Sequence, residues 1–151
     1  MKRAAVLMAL TVVVAWGAAS YAEKKAERHY INLRDPATSG LPFSDGVLVG
    51  DTLYLAGRLG LEPDTGKPPA DPKVEAKLAL DGIQRTLAKA GMTMDDLVYV
   101  QVFCSDVALY DDFNQVYRSY FKKDFPARAF IGSGPLLRGG RFEVQGIAVK
   151  R

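Results

Sequence analysis

Cysteine, histidine and tryptophan occur once each in this 151-residue chain, as Cys104, His29 and Trp16. One thiol can close no internal disulfide, so the fold must stand on packing or on assembly. One His and one Cys are too few for the ligand set of a zinc site, and no metal is expected. Ser-His-Asp and Cys-His catalysis are not expected either, unless His29 folds back from the N-terminal region. Cys104 lies in the run from Val98 to Ser105, in phase with Val98, Val100 and Val102. It reads as a small buried hydrophobe rather than a nucleophile.

A membrane-length apolar run is missing as well. Ala4 to Ala15 is apolar for about 12 residues, short of the roughly 20 that a span needs but within the roughly 7–15 of a signal-peptide core. The basic Met1-Lys2-Arg3 precedes it, and Ser20-Tyr21-Ala22 supplies the small residues of a cleavage site. Residues 1–22 are therefore expected to be an export signal cut after Ala22. That would leave an exported, periplasmic protein with no stable membrane association; the alternative is an uncleaved N-terminal anchor. Excess charge is the third shortage. The chain has 20 Lys+Arg against 17 Asp+Glu, a net charge of +3. Losing Lys2 and Arg3 leaves 18 against 17, near +1, which offers no electrostatic footprint for nucleic acid. About 129 residues would remain, the size of one domain with a single core.

What is present is an alternation of strand and helix signals without repeats. Residues 23–40 read as a lead-in, charged from Glu23 to Arg28, with a short edge strand over His29–Leu33. Arg34–Pro42 reads as a loop, and residues 41–151 as the domain proper. Val47–Ala56 reads as a hairpin turning at Gly50-Asp51, and Leu61–Ala70 as a turn-rich connection. A helix is predicted from Asp71-Pro72, a cap residue followed by proline, to Gly91. It carries Ala76, Leu80, Ile83, Leu87 and Ala90 on one face and Lys73, Lys77, Asp81 and Arg85 on the other. A second is predicted over Tyr110–Lys122, its Phe113, Val116, Tyr117, Tyr120 and Phe121 forming an aromatic stripe that reads as core. Strands are predicted at Leu97–Ser105, Ala127–Ile131 and Arg141–Val149. The order predicts an α+β fold, two helices on one face of a mixed sheet. In the last strand Phe142, Val144, Gly146 and Ala148 suit the helix-covered face. Glu143, Gln145, Ile147 and Val149 face the other way, on a half-polar surface of the kind that marks an assembly interface.

Two charges stand out in this pattern. Arg128, in Phe125-Pro126-Ala127-Arg128, opens one predicted strand, and Glu143 sits inside another that is mostly apolar. A charge among β-forming apolar residues needs a partner or a purpose. Arginine grips carboxylates through paired hydrogen bonds, and glutamate serves as a general base or holds a reacting water. The pair suggests water chemistry on a small anionic substrate; the bland alternative is a salt bridge between two strands or two subunits.

From Pro42 to Arg151 the chain also resembles the Rid family of reactive intermediate deaminases, known too as YjgF-like or L-PSP endoribonuclease-like. The resemblance is carried in order by Leu41–Gly46, Leu55–Arg58, Asp64–Gly66, Leu97–Phe103, Phe113–Tyr117, Phe125–Arg128 and Phe142–Ala148. It implies a chorismate-mutase-like fold assembled as a homotrimer, with clefts between subunits and no cofactor. It also implies hydrolysis of 2-imino or 2-enamino acids to 2-oxo acids and ammonia. By the same resemblance Arg128 would bind the substrate carboxylate, Glu143 would position the water, and Gly57, Asn114, Phe43 and Phe130 would line the site. Deaminating members often carry tyrosine, serine and, in some, cysteine where this chain has Phe43, Ala56 and Phe130. The pocket is accordingly expected to be more apolar and narrower. A non-catalytic module that binds small carboxylates is the alternative function. The ribonuclease label is opposed by the near-neutral charge and the lone His29.

Overall fold

The turn at Gly50-Asp51 closes a hairpin. Strand β2 (Gly46–Val49) pairs antiparallel with β3 (Thr52–Leu59) from Val49 opposite Thr52. Gly50 takes φ 58°, a left-handed geometry that such a two-residue turn demands. The computed structural model describes residues 27–151, so the expected export signal at residues 1–22 lies outside the described residues, as does the start of the lead-in. Strand β1 (Arg28–Ile31) joins the sheet edge beside β2, beginning one residue before the expected His29–Leu33 strand and ending two before it. The expected loop Arg34–Pro42 contains a helical turn instead, α1 (Pro36–Ser39). Asp35 accepts a 2.9 Å hydrogen bond from the Ala37 N–H, Pro36 occupies the first turn, and Gly40 ends it at φ 64°.

Helix α2 (Pro72–Lys89) begins at the same Asp-Pro signal, with Asp71 accepting from Lys73 N at 2.8 Å. Its Ala76, Leu80, Ile83 and Leu87 are buried as expected, and Gly91 follows it at φ 74°. Strands β4 (Leu97–Cys104), β5 (Ala127–Gly132) and β6 (Phe142–Val149) complete a six-stranded sheet in the order β1-β2-β3-β6-β4-β5. Only β4 and β5 run parallel, and helix α3 (Tyr110–Arg118) makes the crossover that parallel strands require. The last strand in sequence thus sits in the middle of the sheet, and β5 lies at its edge.

Helix α3 stops four residues before the expected Lys122. Beyond Arg118 the backbone tightens to i−3 bonds, Ser119 N to Val116 O at 3.1 Å and Tyr120 N to Tyr117 O at 3.2 Å. The Ser119 hydroxyl donates to the same Val116 carbonyl at 2.7 Å. Tyr120 still docks on α2, donating to Asp81 Oδ1 at 2.6 Å.

The core lies between α2, α3 and one sheet face. Phe142, Val144 and Ala148 of β6 point into it, Gly146 is buried with them, and Glu143, Gln145 and Ile147 face away, as the alternation predicts. Phe113 of α3 meets Phe142 with ring centroids 5.1 Å apart, both rings fully buried. Burial stabilises each by about 1.5–3 kcal/mol. Cys104 is buried, its thiol pushed above the ordinary range by desolvation. Val98 breaks the expected phase. A register shift between Leu97 and Tyr99 against β6 turns Val98 to solvent and gives the inner position to Leu97.

One buried charge was not anticipated from sequence. Glu75, 0% exposed, accepts from Arg141 Nε and Arg141 N at 2.5 Å each and from Phe142 N at 3.1 Å. It ties α2 to the first residues of β6, two positions before Glu143, and its charge is met by a guanidinium and two amides.

Candidate active site

Arg128 leaves β5 on the helix-covered side of the sheet and reaches α3. Its Nη2 donates to Asn114 Oδ1 at 2.8 Å, and its Cζ lies 4.6 Å from the centre of the Tyr117 ring. The Tyr110 and Phe130 rings are each 5.8 Å away. A cation over aromatic faces is attracted by their quadrupoles. Asn114 therefore fixes one edge of the guanidinium and Tyr117 backs its plane, which leaves other N–H groups of the fork for a ligand. No ion pair involves Arg128 among the described residues.

The local sequence builds this seat simply. Tyr110, Asn114 and Tyr117 recur at i, i+4 and i+7 on α3, so one helix face presents all three. The aromatic stripe is thus core and site wall at once, where the sequence suggested core alone. Beside it opens a cavity of about 270 Å³. Tyr110, Asn114, Tyr117 and Arg118 line it from α3; Phe125, Pro126 and Arg128 line it from the approach to β5. Phe130 is not on that wall. Its ring packs edge-on against Tyr110 at 5.0 Å and against Phe113 at 5.6 Å, behind the guanidinium, because β5 alternates it toward the core. Tyr117 is 4% exposed, and burial pushes its phenol up to about 12, the charge of Arg128 opposing. Its hydroxyl has no hydrogen-bond partner among the described residues.

Glu143 stands elsewhere. It pairs with Leu59 of β3 and Phe103 of β4 and projects from the helix-free face of the sheet. The β3–β6 register slips between Leu55 and Arg58, and this bulge sets Gly57 against the Glu143 carboxylate. A Cβ at Gly57 would run into that carboxylate, so the Glu143 side chain keeps this position only beside a glycine. The Phe43 loop is tied instead to the α2 side of β3, where Arg58 registers with the core-facing Val144 and packs against Gly82. It is anchored by Asp45, which accepts from Leu33 N at 2.6 Å, pairs with Arg58 and receives Ala56 N on its carbonyl at 3.0 Å. Burial lowers the Arg58 pKa, with Asp45 opposing. Phe43 itself is 53% exposed. On the Glu143 face Gln145 Nε2 donates to Gln101 Oε1 at 3.2 Å.

The candidate residues therefore form two half-sites. Arg128 is opposite Val100, a core residue, while Glu143 is opposite Phe103, two strands' alternation out of phase with it. Within one chain the guanidinium and the carboxylate lie on opposite faces of the sheet. The salt-bridge alternative fails inside a single chain for that reason. Sequence reasoning missed Tyr110 and Tyr117 as site residues, though their helical spacing to Asn114 was legible. It also missed Asp45 and Arg58, whose pairing depends on strand register. Among the described residues no group of three or more His, Cys, Asp or Glu side chains is placed to hold a metal ion.

The chain is similar to known proteins over most of its length. The family model described as endoribonuclease L-PSP matches residues 34–150. The chain is 40% identical over 116 residues to the 2-iminobutanoate/2-iminopropanoate deaminase of Bos taurus, covering 76% of this chain and 84% of that protein. It is 31% identical over 119 residues to the protein of the same name from Escherichia coli K12, covering 77% and 92%. Among solved structures, the YjgF gene product of E. coli matches at TM-score 0.74 and 30% identity, covering 82% of this chain and 99% of that one. E. coli TdcF with bound serine matches at TM-score 0.70 and 27% identity, covering 74% and 90%.

Proposed function

This chain belongs to the Rid family, the endoribonuclease L-PSP and YjgF-like proteins, and from that premise we propose that it hydrolyses 2-imino and 2-enamino acids to 2-oxo acids and ammonia. Relatives at 31–40% identity bear the name of that activity. The observation that carries the reading is the Arg128 seat, a guanidinium held by Asn114 and backed by Tyr117 with no carboxylate of its own.

In this reading Arg128 binds the substrate carboxylate, and Glu143 holds a water against the imine carbon. The water oxygen bonds to that carbon as Glu143 takes a proton and the carbon–nitrogen π pair moves to nitrogen; Glu143 then passes its proton to the nitrogen and takes the hydroxyl proton in turn, so that the carbonyl forms as the carbon–nitrogen bond breaks and ammonia leaves. A positioned carboxylate contributes about 10²–10⁴-fold to such a step. An enamine enters the same route once it tautomerises to the imine.

Because the two half-sites face opposite ways, the site is completed by a second copy, one chain giving Arg128 and its neighbour Glu143. A closed homotrimer satisfies this with three equivalent clefts, and the helix-free sheet face is the surface it would cover. Residues 1–22 act as a cleaved export signal that delivers the protein to the periplasm; the mass of the protein recovered from expressing cells tests this, and an intact Met1 start would refute it. The activity is tested by mixing the protein with an amino-acid oxidase and its substrate and following imine loss with semicarbazide. No acceleration over buffer with any of several amino acids would sink the deaminase reading.

A second reading, carboxylate binding without turnover, is favoured by one observation: neither Phe43 nor Ala56 carries a hydroxyl. Thermal-shift measurements with 2-oxo acids, run beside the deaminase assay, separate the two.

A further inference from the structure

We propose that the groove beside Arg128 selects the substrate by its side chain and prefers an aromatic one, so that the favoured ligands are 2-imino and 2-oxo acids with a planar ring. The inference rests on the reading of Arg128 as carboxylate grip and narrows it.

Two large rings flank the guanidinium and remain open, Tyr110 at 45% and Phe125 at 57% exposure. Both line the cavity, one at the start of α3 and one ahead of β5. Neither ring swings free. Phe125 lies nearly parallel to Tyr117, 22° and 6.2 Å between centroids, and edge-on to Phe121 at 5.5 Å. Tyr110 is held edge-on to Phe130 at 5.0 Å. Exposed but fixed aromatic surface is what a stacking ligand needs, since little ordering remains to be done on binding.

Size and chemistry agree. The cavity of about 270 Å³ would hold about nine waters at ~30 Å³ each. That is more room than a carboxylate and a short aliphatic tail occupy. A carboxylate on the free edge of Arg128 leaves its side chain to run along the Tyr110–Phe125 walls. A short aliphatic chain would leave both rings wet; a phenyl ring would cover them and meet them in offset or edge-on contact.

The test is binding and turnover in parallel, with light scattering to follow assembly. Phenylpyruvate and 2-oxobutanoate are titrated into the wild type, and the corresponding imines are generated in situ for kinetics. We expect phenylpyruvate to bind about tenfold tighter or more, with the same preference in kcat/KM if the protein turns imines over. Phe125→Ala and Tyr110→Ala should each erase most of that ratio, and Phe125→Leu should erase it without opening a gap. Equal binding of the two acids, or a preference for 2-oxobutanoate, overturns the proposal. So does an unchanged ratio in variants whose oligomeric state shifts, which would assign the two rings to subunit contact. Absence of turnover with the binding preference intact would sink only the deaminase reading.

Discussion

If Arg128 and Glu143 serve one reaction from opposite faces of the sheet, two dead variants should make a live mixture. Arg128→Met keeps the aliphatic stem over Tyr117 and removes the fork; Glu143→Gln keeps the shape beside Gly57 and removes the base. Losing two charge-assisted hydrogen bonds of about 1.5–3 kcal/mol each should lower kcat/KM at least a hundredfold. Losing the general base should cost about 10²–10⁴. Each parent is then at or below about 1% of wild type. In an assembly formed from equal amounts of both, a cleft is whole only when its Arg donor is a Glu143→Gln chain and its Glu donor an Arg128→Met chain. One half times one half gives about a quarter of the clefts, whatever the size of a closed ring. Activity should therefore rise some 25-fold or more above either parent. The two chains are co-refolded in equal amounts with distinguishable tags that confirm mixing, and imine loss is followed with semicarbazide on the unsorted assemblies. Mixed assemblies that stay at the mean of the parents would refute a shared site between copies.

Gly57→Ala should abolish turnover while leaving the fold cooperative, because the new methyl meets the Glu143 carboxylate; steady-state rates and a thermal melt check both halves. Glu75→Ala strands a half-buried Arg141 and two backbone amides, a loss of about 3–5 kcal/mol that should lower Tm by about 10–20 °C. Alkali should destabilise the fold through Tyr117. Its pKa is raised from the ordinary value near 10 to about 12 by burial, so the neutral phenol is the folded form. That stability is fully present below about pH 10 and is lost as pH rises toward 12, up to about 2.7 kcal/mol at 1.36 kcal/mol per unit. Tyr120, raised by burial and by Asp81, acts in the same direction. Urea midpoints across that window should fall less steeply in Tyr117→Phe than in wild type, and equal slopes would refute the assignment.

What was legible in the chain is what local chemistry decides. Asp71-Pro72 and Gly91 bound α2 because a cap, a fixed φ and a left-handed stop act within a few residues. The same Asp-Pro signal at Asp35-Pro36 went unread because a single turn leaves no apolar periodicity beside it. Tyr120 and Phe121 extended the apparent period of α3 past its end, since their rings reach the core from a tightened turn as well as from a helix. Val98 was misplaced by a bulge, which breaks alternation without a sequence mark. Most consequential were the faces of Arg128 and Glu143. Alternation gives the parity of neighbours within one strand but not the phase between two. That phase is set by β6 entering between β3 and β4 and by the register of β5 on β4. Both are pairings between segments distant in sequence.

The same geometry sorts the apolar departures at Phe43, Ala56 and Phe130. Phe130 turns inward and stiffens the aromatic bed under Arg128, so its bulk supports the grip instead of closing the cavity. Ala56 belongs to the bulge that sets Gly57 against Glu143, and its amide holds the Asp45 carbonyl that anchors the Phe43 loop. That backbone role needs no hydroxyl. Phe43 is the one departure whose side chain is largely exposed, at 53%. On the proposed reading these departures leave in place Arg128 as carboxylate grip, Glu143 as holder of the water and the Gly57 that abuts Glu143. Water addition to a carbon–nitrogen double bond needs those three most, and an aromatic substrate would draw on apolar contact where hydroxyls are missing. Restoring a hydroxyl by Phe43→Tyr should on this view raise turnover of aliphatic imines more than of aromatic ones. An equal gain for both would place Phe43 outside substrate discrimination.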